Sequence, residues 1–229
     1  MKKIAYLTVA ALLCASCFNV NVNFKGDLRN AIKGTGPVET RALDFKDFNG
    51  IKVVGAADIR FTQADQWEVT LTTQENIFDS LDYAVVDSVL IIQAIDHRTV
   101  RADEYQITLS APELSRIDIS GAAEFKSLSE VSVPGDMDVT VNGAADLSFN
   151  GLGCGILQIK ANGAADIDIE GLNATAVLVK INGAGDVDLA GKAGEASFEV
   201  NGAGDIDARN LSVAGEVSKK TSGVAKIQM

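Results

Sequence analysis

Apolar and polar residues alternate with a period of two through most of the chain after residue 45. Val139 and Val141 lead to Leu147 and Phe149, Ile159 and Ala161 to Ile167 and Ile169, Val179 and Ile181 to Val187 and Leu189, and Phe198 and Val200 to Ile206. Successive side chains of a strand point to opposite faces, so this alternation predicts strands with one buried face. Between the halves of each set stands a small-residue corner: Ser120-Gly121-Ala122-Ala123-Glu124, Asn142-Gly143-Ala144-Ala145-Asp146, Asn162-Gly163-Ala164-Ala165-Asp166, Asn182-Gly183-Ala184-Gly185-Asp186, Asn201-Gly202-Ala203-Gly204-Asp205 and Ser222-Gly223-Val224-Ala225-Lys226. The corner glycines Gly121, Gly143, Gly163, Gly183, Gly202 and Gly223 recur at steps of 19 to 22 residues. A fixed period of this length marks a supersecondary unit stacked on copies of itself. Asn and Gly turn the chain sharply without strain, and a second corner follows at Asn150-Gly151, Glu170-Gly171 and Ala190-Gly191.

Two short strands, two corners and a variable third side predict an all-β parallel solenoid with coils of about twenty residues; the β-branched alternation and the glycine in every unit oppose a helical repeat. A further copy, Val54-Gly55-Ala56-Ala57-Asp58-Ile59, lies 66 residues before Gly121, three steps of 22. That spacing predicts degenerate coils of the same solenoid in between, hence one domain over residues 46–229.

The N-terminus has a different pattern. Met1-Lys2-Lys3 supplies positive charge, Ile4 to Leu13 an apolar run too short for a membrane span, and Ala15-Ser16 small residues before Cys17. Residues 1–16 therefore read as an export signal. Cys14-Ala15-Ser16-Cys17 resembles a bacterial lipobox, with Cys14 where Leu is usual, and implies lipidation at Cys17; an ordinary secretory signal and an uncleaved anchor are the other readings. Residues 17–45 read as the lipidated Cys and a tether. Phe18 to Phe24 carries no acidic run of the kind that directs some lipoproteins to the cell surface, so the anchor is expected in the outer membrane with the domain facing either the periplasm or the surface.

Charge narrows the partners. Twenty Lys+Arg against 31 Asp+Glu leave a net charge of -11, which excludes nucleic acid as the natural partner. One His and three Cys leave little for a zinc site, a disulfide framework or His-based catalysis. His97 reads as a surface residue and Trp67 as packing on the first coils. Cys154 is the one cysteine left after cleavage and lipidation and is expected to be inert.

The chain is similar to a bacterial family, the adhesin head domain called GIN, in the opening Phe48-Asn49-Gly50-Ile51-Lys52-Val53, the Gly55-Ala56-Ala57-Asp58-Ile59 turn, Asn76-Ile77-Phe78-Asp79-Ser80-Leu81 before Leu90-Ile91-Ile92, and the tandem Asn-Gly-Ala units. The resemblance spans roughly residues 45–229. It implies a single-stranded right-handed parallel β-helix and an adhesin-like role; with Met229 directly after the last repeat, no translocator barrel is expected, a departure from the family's auto-transporter label.

Stacking turns equivalent outward residues into columns about 4.8 Å apart. One column reads Glu124, Asp146, Asp166, Asp186, Asp205 and Lys226, the other Lys126, Ser148, Asp168, Asp188, Asp207 and Gln228. These acids read either as a solvated face or as weak calcium ligands, since several carboxylate oxygens at short spacing suit a hard cation; the nine-residue Gly-x-Gly-x-Asp calcium repeat is not matched. No other cofactor is indicated. Carbohydrate-active β-helix enzymes also cluster Asp, but at one interruption of the repeat and with aromatic or cationic neighbours, and here Asp recurs coil after coil. The expected function is a non-catalytic, monomeric, adhesin-like envelope lipoprotein that meets a glycan or protein ligand; a structural envelope protein and, less favoured, a polysaccharide lyase or hydrolase are the alternatives. Lys226 in place of Asp, with Lys219-Lys220 ahead of it, is expected to guard the terminal edge against strand addition.

Overall fold

The structure, a computed structural model, describes residues 31–229. Its strands are β1 (Ile32–Lys33), β2 (Val38–Leu43), β3 (Gly50–Gln63), β4 (Glu68–Gln74), β5 (Leu81–Val86), β6 (Val89–Ala94), β7 (Val100–Arg101), β8 (Tyr105–Ala111), β9 (Arg116–Ser127), β10 (Val131–Ser132), β11 (Met137–Val213) and β12 (Val217–Gln228), with one helical turn, α1 (Glu75–Phe78). The main sheet runs in the order β10-β11-β9-β3-β8-β4-β2, with β12 on β11 and the β5-β6 pair on β3.

The long part of the sheet is parallel and in register. Gly55 pairs with Gly121, Gly121 with Gly143, and Gly202 with Gly223. Within β11 the chain stays extended but bends at its glycines, laying one layer on the last. Gly143 shows why the residue must be glycine. Its φ is 141°, and a Cβ there would lie 2.0 Å from the Gly121 carbonyl oxygen, closer than real atoms approach. The same collision recurs at Gly163, Gly183 and Gly202, each at 2.1 Å from the carbonyl oxygen of the preceding corner. Between corners the predicted inward residues are buried: Val139, Val141, Leu147, Phe149, Ile159, Ile167, Val179, Ile181, Val187, Phe198, Val200 and Ile206 are all at most 2% exposed. Phe125 and Phe149 meet inside with ring centroids 5.2 Å apart and planes tilted by 39°.

The expectation of a single-stranded right-handed parallel β-helix over 46–229 is overturned. The chain is all-β, but it forms a curled, open sheet of mixed direction: β2 runs antiparallel to β4, β4 to β8, and β5 to β6. The expected coils between Gly55 and Gly121 do not exist, because β3 and β9 are direct neighbours paired from Gly50–Arg116 to Phe61–Ser127. The intervening residues fold on the other edge of β3 instead: β6 and β8 run parallel to it, β5 and β4 run antiparallel to β6 and β8, and α1 lies between β4 and β5. Period-two alternation reports that a segment is a strand and says nothing of its direction. The buried faces of β4 (Val69, Leu71), β6 (Leu90, Ile92) and β8 (Ile107, Leu109) look the same in either sense. What these residues lack is the Asn-Gly corner; β5 and β6 are joined instead by the tight two-residue connection of an antiparallel pair, while β4 reaches β8 only after α1, β5, β6 and β7.

Residues 31–45, expected as tether, carry β1, which pairs with β7, and β2, an edge of the main sheet. Asn76 holds this segment, accepting from the Thr35 N–H at 2.7 Å and donating to the Lys33 carbonyl at 2.9 Å. The Arg41 guanidinium lies 4.1 Å from the centre of the Phe78 ring, covering the apolar end of α1. The export signal, Cys17 and residues 17–30 of the tether lie outside the described residues. Trp67 packs against the core, and its indole donates to the Phe48 carbonyl at 2.8 Å.

Candidate binding surface

Either side of the Asn-Gly corner the layers present outward residues of different character. Before the corner, Asn142, Asn162, Asn182 and Asn201 form a ladder of side-chain amides. Asn162 Nδ2 donates to Asn142 Oδ1 at 3.0 Å, Asn182 Nδ2 to Asn162 Oδ1 at 2.9 Å, and Asn201 Nδ2 to Asn182 Oδ1 at 3.1 Å. The ladder makes each corner depend on the next. Asn182→Ala deletes a donor and an acceptor together, and at about 1 kcal/mol for each hydrogen bond it is expected to lower stability by about 2 kcal/mol in urea unfolding, against about half that for Asn142→Ala, which loses one bond of the ladder.

Two residues before each corner the outward column carries Lys160, Lys180, Glu199 and Lys220. Glu199 takes Lys180 at 3.2 Å, Lys220 at 3.5 Å and the Asn201 amide at 2.8 Å. The Asn201 amide, then Lys180, hold its carboxyl down to about 2.

After the corner the surface is acidic. Asp58 pairs with Glu124 and Glu124 with Asp146, and the column continues through Asp166, Asp186 and Asp205 to Lys226, which pairs with Asp205. Part of this column is structural. Asp166 Oδ1 accepts the backbone N–H of Asp186 at 3.4 Å, and Asp186 Oδ1 that of Asp205 at 3.1 Å. Each carboxylate thus accepts from a backbone donor of the following layer, just past the corner.

The second column is less balanced. Burial, with the nearby charges of Asp207, Asp168 and Asp186, raises the Asp188 carboxyl above its usual value. A raised carboxyl disfavours the ionised form, so the crowding opposes folding at neutral pH and is relieved as pH falls through that group. Asp207 is the opposite case. Arg209 donates through Nε to Asp207 Oδ1 at 2.9 Å and closes a second contact through its other nitrogen, pulling the Asp207 carboxyl down to about 2.

These columns border shallow recesses. One, about 560 Å³, is lined by Ala56, Ala122, Ala144 and Ala164 and by Asp58, Glu124, Asp146 and Asp166, with Asp103 and Glu104 brought in from the connection ahead of β8. A second, about 390 Å³, gathers Asp146, Asp166, Asp168, Asp186 and Asp188 over Phe125, Leu147 and Ile167. A third, about 240 Å³, joins Asp168, Asp188 and Asp207 with Glu170 and Asn210. Asp103 and Glu104 lie outside the repeat in sequence, and only the fold of the excursion brings them to this face.

The expected calcium ligands therefore share one face, but among the described residues no three His, Cys, Asp or Glu side chains are gathered closely enough to hold a metal ion. His97 is exposed in a 3-10 turn at φ 53°. Cys154 is half-buried, and burial, with the Asp136 charge, pushes its thiol up to about 11, too high for a nucleophile at neutral pH. Among the described residues no helix is long and apolar enough to cross a membrane.

Known structures share this architecture. The crystal structure of a putative adhesin from Parabacteroides merdae is 26% identical, with a TM-score of 0.78 over 86% of this chain and 84% of that one. A putative adhesin from Parabacteroides distasonis is 24% identical with a TM-score of 0.77, again over 86% and 84% of the two chains. A structure from the same organism, described as a putative lipid binding protein, is 21% identical with a TM-score of 0.73 over 87% of this chain and 100% of that one. The last two likenesses, at such identity, speak for the fold alone. No match was found among curated proteins. The model of the family described as "putative auto-transporter adhesin, head GIN domain" matches residues 47–229, and the chain belongs to that family.

Proposed function

We propose that this chain is an adhesin-like binding module of the bacterial cell envelope, exported by residues 1–16, held in the outer membrane by a lipid on Cys17, and without catalytic activity of its own. Family membership and the likeness to the putative adhesin of Parabacteroides merdae support the exported, adhesin-like part of this reading. The observation that carries it is the repetition of the outward face. Asp166, Asp186 and Asp205 stand in equivalent places on successive layers, and the recesses between the columns are open and shallow. A catalytic centre needs one place where an acid, a base and a substrate cradle differ from everything around them. A surface that repeats suits an elongated ligand held by many similar contacts.

The sign of the face selects among ligands. Carboxylates crowd it, so polyanions are repelled and neutral or amine-bearing glycans, or basic protein segments, are favoured. Arrays of such glycans and of envelope and matrix proteins, probed with the purified chain, test this. Binding that falls at least tenfold in Asp166→Asn/Asp186→Asn supports the reading. Binding to nothing favours a purely structural envelope role, and release of sugar product during incubation would show an enzyme.

A further inference from the structure

The core of the stack is built from columns, and they end abruptly at β12. The column three residues before each corner reads Ile51, Ile117, Val139, Ile159, Val179 and Phe198, none more than 2% exposed. In β12 the residue paired with Phe198 is Lys219. One column over, Val200 is paired with Thr221, where every earlier layer has a buried aliphatic residue: Val53, Ile119, Val141, Ala161 and Ile181. The acidic column changes sign at the same layer, Asp205 being paired with Lys226. Most of β12 is exposed, including Val224 at 84%. Among the described residues its outer edge carries no strand.

An edge of this length, in register and hydrogen-bonded on one side only, is a template for another strand. Apolar residues at positions 219 and 221 would extend the buried columns and invite a second copy to add its own layer.

We propose that β12 is a stop layer, in which Lys219 inside the core column and Lys226 in the outward column keep a second copy of the chain from stacking on this end. The charges act in both modes of approach. An antiparallel pairing of two β12 strands about Gly223 that keeps their inward faces together sets Lys226 of one copy opposite Lys220 of the other on the outward face, like against like. Any other strand laid along the edge must bury the Lys219 ammonium against its own inner face, at the expense of hydration. Lys220 also holds Glu199 of its own chain at 3.5 Å, so Lys219 and Lys226 are the lysines to vary. The consequence for an adhesin-like head is that copies stand singly, with their lateral faces free.

Sedimentation velocity of the full chain over a range of concentrations tests this. The wild type is expected at the mass of one chain and Lys219→Ile/Lys226→Ile at twice that mass or more, rising with concentration, with Lys226→Ile alone between them. Lys160→Ile removes an outward lysine from a middle layer and is expected to leave the chain monomeric. A monomeric double variant, a wild type that already associates, or equal association of Lys160→Ile would each overturn the proposal. If the isoleucine pair does not fold, Lys219→Thr/Lys226→Thr, which removes both charges without adding a large apolar group, decides by the same readout: association supports the stop layer and a monomer overturns it.

Discussion

Gly183→Ala is expected to destabilise the chain by about 4 kcal/mol or more, close to the largest loss a single substitution ordinarily causes. Two costs add. Gly183 has a φ of 145°, a conformation in which an L side chain costs on the order of 1–3 kcal/mol. The added methyl would also lie 2.1 Å from the Gly163 carbonyl oxygen and 3.0 Å from its carbonyl carbon and nitrogen. All three are backbone atoms, fixed by pairing on both sides, and cannot move aside as a flexible side chain would. Gly55→Ala separates the two costs. Gly55 has a φ of 130°, but a Cβ there meets nothing within 4 Å, so its loss is expected to stay at about 1–3 kcal/mol. Urea unfolding of both variants checks the difference; equal losses would mean that close stacking of the corners is not what demands glycine.

Phe125→Ala is expected to cost about 3–5 kcal/mol. The ring is fully buried, paired with Ile59 on one side and Leu147 on the other, and tilted against Phe149. It sits within the parallel layers, between β3 and β11, so the cavity opens between strands held by pairing on both sides that cannot collapse into it. Phe125→Leu keeps most of the volume and is expected to lose about 1–1.5 kcal/mol. A loss below about 1 kcal/mol for the alanine variant, measured by urea unfolding with the m-value unchanged, would place Phe125 outside the core.

Much of this was legible in the chain itself, for a reason particular to these residues. The pitch of the layers is written in the corner glycines, and the inward face follows from Val139, Val141, Leu147 and their equivalents, because a two-residue period has only two faces to choose between. The stop at β12 was half legible. Lys226 stands out against the Asp of other copies, but the inward placement of Lys219 emerges only when its register against Phe198 is known. The excursion between Gly55 and Gly121 was not legible. Its length happens to equal three repeats, and alternation in β4, β6 and β8 reads identically for parallel and antiparallel strands. β2 was hidden differently: Val38-Glu39-Thr40-Arg41-Ala42-Leu43 keeps its polar Glu39 and Arg41 on the covered face, where they bond each other at 2.7 Å, so no apolar alternation marks it as a strand.

The structural role found for Asp166 and Asp186 bears on function as well. Carboxylates that cap the next layer's backbone are retained whether or not a ligand is present, so the acidic face is a consequence of the stack first and a recognition surface second. That ordering suits a module whose binding rests on shape and many weak contacts.

Protease treatment of intact cells, with antibody detection of residues 47–229 and a Cys17→Ala control, tests the adhesin-like reading most directly. An adhesin head must be reachable from outside: the chain is expected to be cleaved on intact cells, and Cys17→Ala to leave the membrane fraction. Protection from protease until the outer membrane is broken would contradict a direct adhesive role and turn the search for partners to the periplasm and the cell wall.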